Sequence, residues 1–264
     1  MSRKCGLIGV IVFSLCAVLC QVQAASAQVS VNNVLVTFTG QDRPVRNLVV
    51  SNSGVSAMYV SVRVERIKDL ASDKIESVPA EDLLVSPKNF SIAPQGQRTI
   101  RILLKSPPAD KEQAYRVLLL PQYSEFGEDQ VKAAKVRGST LSLKVATGIG
   151  VLVYAQPRQV VASLEVERSA SQVIFSNKGN VHFTVSGGVS CPSNVVLSDA
   201  ERQLALHEKN AATFEEKGCN FIAGARVHAG RSVNIPVPSN RRLFIGKRLG
   251  SVGDFELLLV ESVG

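Results

Sequence analysis

At 264 residues, with a formal net charge of +8 and 45% hydrophobic residues, the chain has room for one large or two ordinary domains with buried cores. Its lysines and arginines are scattered rather than blocked, which fits a mildly basic soluble surface and argues against nucleic acid. The lack of tryptophan and a 5% aromatic content also argue against sugar stacking or a base-stacking platform.

The amino terminus reads as a targeting segment. Arg3 and Lys4 precede an apolar run from Leu7 to Leu19, and Ala25, Ser26 and Ala27 supply a small-x-small cleavage site. Residues 1–27 are therefore expected to be a cleaved signal peptide, with export and a mature start near Gln28. The run is too short, and too soon followed by Gln21 and Gln23, for stable membrane insertion. Leu19 ahead of Cys20 also fails the small-residue requirement of a lipidation site. Three of the five cysteines lie in this segment, leaving Cys191 and Cys219 as an even pair in an exported chain. An oxidising compartment predicts a bridge between them, the alternative being two free buried thiols.

Beyond the signal, most segments alternate apolar and polar residues with period two between Gly, Pro, Asn, Ser and Asp, as strands with one buried face do. Strands are expected over 29–31, 34–38, 45–50, 58–64, 90–92, 99–104, 115–120, 141–146 and 149–155. A second group follows at 163–166, 172–176, 182–185, 233–237 and 255–260. The spacing predicts an all-β protein of two sandwiches, 28–157 and 158–264, with the boundary at 156–159. Between Pro121 and Arg137 a polar stretch containing Tyr123, Glu125, Phe126, Glu128 and Asp129 reads as a long loop. Residues 201–217 fit a helix or a partly ordered loop equally well, because the 3.6-residue period is broken at Asn210, Ala211 and Ala212.

Little here suits catalysis. His182, His207 and His228 share no metal-ligand spacing and each reads as a surface residue. No nucleophile elbow, phosphate loop or dinucleotide fingerprint is present. Gly148 and Gly150 flank Ile149 without a following helix and read as a bend or bulge. Glu128, Asp129, Asp199 and Glu201 sit in polar connections as solvated charge. No catalytic residue, metal or cofactor is expected. The feature that stands out is the alternation through 141–147, which puts Leu141, Leu143, Val145 and Thr147 on one side of a strand and Ser142, Lys144 and Ala146 on the other. On pattern alone this is either a core-facing strand of the first sandwich or a strand presented to a partner.

Several motifs resemble periplasmic fimbrial (pilus) assembly chaperones of the PapD-like superfamily. The stretch with Pro87, Phe90, Ile92, Pro94, Gly96, Ile100 and Arg101 is similar in spacing to the family's most specific segment. Tyr115-Arg116-Val117, Val153 to Arg158, and Ser176 to Val181, with its Asn-x-Gly-Asn turn, resemble further family positions. The likeness is strongest to the alternative and common-pilus chaperone-usher systems, which also carry a cysteine pair in the second domain. The resemblance implies two immunoglobulin-like β-sandwiches set at an angle, and a periplasmic chaperone that lends a strand to an incomplete pilin and delivers it to an outer-membrane usher. On that reading Leu141, Leu143, Val145 and Thr147 form the pilin-binding donor strand. Such an apolar edge needs covering in the free protein, which implies self-association or capping by the 125–137 loop. Better-known members hold the pilin carboxylate with an Arg and a Lys, whose aligned positions here are Leu35 and Leu152. Arg116 is the candidate substitute, an ordinary solvent-facing role being its alternative. A second reading of the whole chain is a structural or adhesive subunit of a surface fibre.

Overall fold

The computed structural model describes residues 29–41, 43–70, 75–122, 147–207 and 210–262. The expected signal peptide, the polar loop and Leu141, Leu143 and Val145 lie outside the described residues, whereas Thr147 is described and exposed.

The first ten strands are β1 (Val29–Val31), β2 (Leu35–Phe38), β3 (Val45–Asn52), β4 (Met58–Ile67), β5 (Ser77–Pro79), β6 (Leu83–Ser86), β7 (Asn89–Ile92), β8 (Gln97–Leu104), β9 (Gln113–Gln122) and β10 (Ile149–Ala155). They form one sheet in the order β1-β3-β8-β6 and another in the order β2-β10-β9-β4-β5, with β7 also beside β4. The chain changes sheet between β1 and β2, and again between β6 and β7, where the Ser86-Pro87 bond is cis. Period-two patterning decides which face is buried. On β8, Ile100, Ile102 and Leu104 enter the core, while Thr99 and Arg101 face water. Leu48 and Val50 on the neighbouring β3, with Val117, Leu119, Val151 and Val153 from the facing sheet, complete one continuous core.

The second group comprises β11 (Leu164–Arg168), β12 (Gln172–Asn177), β13 (Phe183–Pro192), α1 (Asp199–Leu204), α2 (Ala211–Glu215), β14 (Asn220–Ile222), β15 (Ala225–Val227), β16 (Ser232–Pro236), β17 (Arg241–Leu249) and β18 (Glu256–Val260). A sheet in the order β11-β12-β16 packs on one in the order β14-β13-β17-β18, with β15 also beside β13. Val173, Phe175, Val185, Val227, Leu243 and Ile245 belong to its core. Cys191 and Cys219 are bridged. The chain between them carries both short helices and folds over the outer sheet face, where Leu197, Ala205 and Phe214 meet Val189 and Phe244 in a small second core. Residues 201–217 are thus neither one helix nor a loop. Ser198 starts α1 with a reciprocal capping box to Glu201, and Lys217 then pairs with that carboxylate from beyond α2.

One turn recurs in both halves. At the end of β3 the Asn52 side chain accepts from Gly54 N at 2.9 Å and donates to the Ser56, Ile92 and Ala93 carbonyls. At the end of β12 the Asn177 side chain accepts from Gly179 N at 2.8 Å and donates to Val181 O and Val227 O. Both asparagines are buried, and their bonds satisfy backbone groups at the turn, among them the buried Ile92, Val181 and Val227 carbonyls.

Candidate polypeptide-binding face

Residues directly opposite one another in a sheet share a face, so the register of β2, β10, β9 and β4 defines rows across the outer surface. Leu35, Leu152, Arg116 and Glu65 make one row. Gly150, Leu118 and Arg63 make the next, further from the second sandwich. On the other side of the first row, Thr37, Tyr154 and Ala114 lie together. Tyr154 and Ala114 are buried, although their side chains leave the outer face. The cover comes from the second sandwich, whose His182 ring lies 4.4 Å from that of Tyr154. The outer face therefore begins at the junction of the two sandwiches, passes the half-buried Leu35, Leu152, Arg116 and Leu118, and ends in solvent at Gly148 and Gly150.

The two glycines do not mark a bulge. The β9–β10 register runs without a break from Ile149 opposite Leu119 to Ala155 opposite Gln113. A methyl group at Gly148 would come within 3.2 Å of Leu120 Cδ2, and one at Gly150 would touch Arg116 and Leu118 at 3.7 Å. Small residues here leave the flanks of Leu118 and Leu120 uncovered by β10.

The edge of β10 is equally open. Parallel pairing with β2 covers Leu152 through Ala155, and Leu152 N also donates to Val34 O at 2.9 Å. Among the described residues, Ile149, Gly150 and Val151 have no strand beside them on that edge. A free edge with an apolar flank is the arrangement onto which an extended segment adds.

Arg116 is paired across the sheet. Its guanidinium donates to Glu65 Oε2 at 2.8 Å, and Ser77 Oγ donates to the same oxygen at 2.8 Å. The Arg116 and Glu65 side chains are 31% and 15% exposed, so the pair is partly desolvated. The hydrogen bond from Arg116 is the main reason that Glu65 is held below the ordinary carboxylate range, with Ser77 adding to it. Arg63 stands 4.0 Å from the other Glu65 oxygen. Two guanidinium groups around one carboxylate leave a net positive charge, and Arg116 Nε is buried with no hydrogen-bond partner among the described residues. Arg63 and Glu65 were visible only as the polar half of β4, where they alternate with Val62 and Val64. Pairing across the sheet, which no local pattern reveals, brings them to Arg116.

Leu35 and Leu152, the positions expected to lack the usual cations, are direct partners in the β2–β10 register. His182, expected at the surface, is instead completely buried. A hydrogen-bond partner on each side explains the difference: ring Nδ1 meets the Glu112 carboxylate and Nε2 the Ser251 hydroxyl, so a polar side chain is satisfied in the interior. Among the described residues no helix is long and apolar enough to cross a membrane, and no cluster of His, Cys, Asp and Glu could hold a metal ion.

Two β-sandwiches joined end to end are the architecture that the chain shares with solved fimbrial chaperones. A family model for the pili and flagellar-assembly chaperone, PapD N-terminal domain, matches residues 28–160, and the chain belongs to that family of non-enzymatic assembly proteins. The chain is 24% identical over 187 residues to the Probable fimbrial chaperone EcpB of Escherichia coli O18:K1:H7 strain IHE3034, covering 66% of this chain and 80% of that one. Among solved structures it resembles the class 5 fimbriae chaperone CfaA, with a TM-score of 0.60 at 16% identity over 89% of this chain and 99% of that one. A chain from a chaperone-tip adhesin complex of CFA/I fimbriae biogenesis gives a TM-score of 0.57 at 16% identity, covering 90% and 99%. The protein is a pilus-assembly chaperone, a class that works in the periplasm.

Proposed function

We propose that this chaperone binds an incomplete fimbrial subunit by lending it the strand 141–147, and passes the subunit to an outer-membrane usher. The observation that carries the reading is the open edge of β10 at Ile149–Val151, directly downstream of the alternating residues Leu141, Leu143, Val145 and Thr147. Continuing β10 backwards with the same period would set these four in a row for insertion between the sheets of a subunit. Each buried Leu or Val contributes roughly 1.5–3 kcal/mol before the costs of association. Backbone hydrogen bonds along the edge would fix the register.

The Arg63, Glu65 and Arg116 cluster lies on the outer face one and two strands in from this edge, on β9 and β4, and we assign it the capture of the subunit's terminal carboxylate, with Arg116 as the principal anchor. Arg116 uses only part of its guanidinium in pairing with Glu65, and Leu152 opposite it, with Leu35 beyond, makes the surroundings partly apolar, which strengthens a charge-assisted bond. Export by a cleaved signal of residues 1–27 belongs to the same reading, as does self-association of the free protein through the exposed edge.

Co-expression with its fimbrial subunit tests this directly. Leu143→Asp and Val145→Asp are expected to abolish recovery of a one-to-one complex from periplasm while leaving the melting temperature of the free chaperone within about 2 °C. Undiminished recovery with both variants would remove the strand from the site.

A further inference from the structure

The chain contains three histidines, and two of them meet where the sandwiches join. His182 immediately precedes β13 and Glu112 immediately precedes β9. The His182 backbone N–H donates to Glu112 Oε2 at 3.1 Å, and ring Nδ1 lies 2.5 Å from the same oxygen. Ring Nε2 is 2.9 Å from Ser251 Oγ in the turn between β17 and β18. Both side chains are out of water, at 0% and 4% exposure. Around this pair the contact is mostly polar. Glu112 N donates to Asn180 O, the Asn180 side chain donates to Asp110 O, and Arg231 pairs with Asp69 at 2.7 Å.

His228, just past β15, has its ring 6.0 Å from that of His182 and is half-buried. Its Nδ1 is buried and has no hydrogen-bond partner among the described residues. The charged and titratable groups around the two rings are Asp69, Lys111, Glu112 and Tyr154 from the first sandwich, and Arg226 and Arg231 from the second. A proton arriving at His228 would thus place a charge in a partly dehydrated spot near His182 and Arg226, with Glu112 and Asp69 offsetting part of the cost.

We propose that the junction is an acid-responsive joint, in which proton uptake at His228 beside the buried His182–Glu112 pair loosens the contact that sets the orientation of the two sandwiches. This stands apart from subunit binding and rests on the junction alone. The sign follows from the environment. Burial foremost, and then His182, hold His228 below the ordinary histidine value, while Glu112 and Asp69 act the other way. The closed junction therefore takes up this proton less readily than an open one. Its contribution is complete above the ordinary histidine range, near pH 6.5, and is lost as the pH falls from there towards the lowered value. The same junction buries Tyr154 and Ala114, next to the row of Leu152 and Arg116, so its loosening reaches the start of the outer face.

The amides of Glu112 and His182 bridge the sandwiches and report on the joint directly. Hydrogen exchange of these two amides, corrected for intrinsic pH dependence, is to be compared at pH 7.5 and 5.0 in the mature wild type, His228→Gln and His207→Gln. The wild type and the His207 variant should exchange faster at pH 5.0 by about threefold or more, and His228→Gln should show a smaller change. In parallel, imidazole resonances of the wild type should show His228 titrating below the ordinary value. An unchanged wild-type ratio, a full response in His228→Gln, or His228 titrating at or above its ordinary value would each overturn the proposal. The wild-type exchange ratio and titration together decide the matter even if the His228 variant fails to fold.

Discussion

Arg116 and Glu65 share one interaction but should respond in opposite directions when changed singly, which separates an anchor from a structural ion pair. If Arg116 is the anchor proposed, Arg116→Ala takes from a bound subunit's carboxylate its main partner, in a site that Leu152 flanks. Truncating one side of a desolvated charge pair costs about 2–5 kcal/mol, so the dissociation constant should rise about thirtyfold or more. Glu65→Gln leaves Arg116 in place but removes the negative charge 2.8 Å from its guanidinium. The incoming carboxylate then no longer competes for the cation, and a gain of about 1 kcal/mol, roughly fivefold tighter binding, is expected. Titration of each purified variant with a peptide-complemented subunit, following displacement of the peptide, gives both numbers. Equal affinity in Arg116→Ala and wild type, or equal weakening in the two variants, would refute the anchor and leave the pair a structural link between β4 and β9.

Three further outcomes follow from the packing. Cys219→Ser opens a loop of sequence separation 28 that carries α1 and α2, so it should lower stability by about 3–4 kcal/mol, seen as a depressed melting transition that reducing agent does not lower further. Asn177→Ala removes three buried hydrogen bonds and strands two carbonyls, for a loss of about 2–4 kcal/mol in chemical denaturation. Glu65, held below its ordinary value by Arg116, contributes stability that is present above the ordinary carboxylate range and is lost as pH falls through its lowered value. Acid unfolding should accordingly be less steep in Glu65→Gln than in wild type.

Strand alternation exposed most of the fold, because a half-buried strand leaves a period-two trace and the glycine, proline and asparagine turns punctuate it. The bridged cysteines were legible on different grounds, since the expected signal segment holds the other three and leaves them as a pair. Where the trace failed, the cause was packing on both faces. β17, with Leu243, Phe244 and Ile245 all buried, has no alternation to read, because Leu243 and Ile245 enter the sandwich core while Phe244 enters the small core under the helices. β13 ran longer than expected for the same reason, with Val189 and Cys191 covered from outside. Gly148 and Gly150 looked like a bend because sequence does not show that Leu118 and Leu120 stand beside them. His182 and Glu112 are seventy residues apart, and only the meeting of the two sandwiches makes them partners.

A subunit that pairs with the edge of β10 and the residues before it would leave its mark in site-resolved hydrogen exchange of the chaperone, free and in complex. Strong new protection is expected across 141–147 and at the open edge of β10, with little change in β3 and β8 on the opposite sheet. Protection confined to the second sandwich, with 141–151 exchanging as fast in the complex as in the free protein, would contradict that pairing.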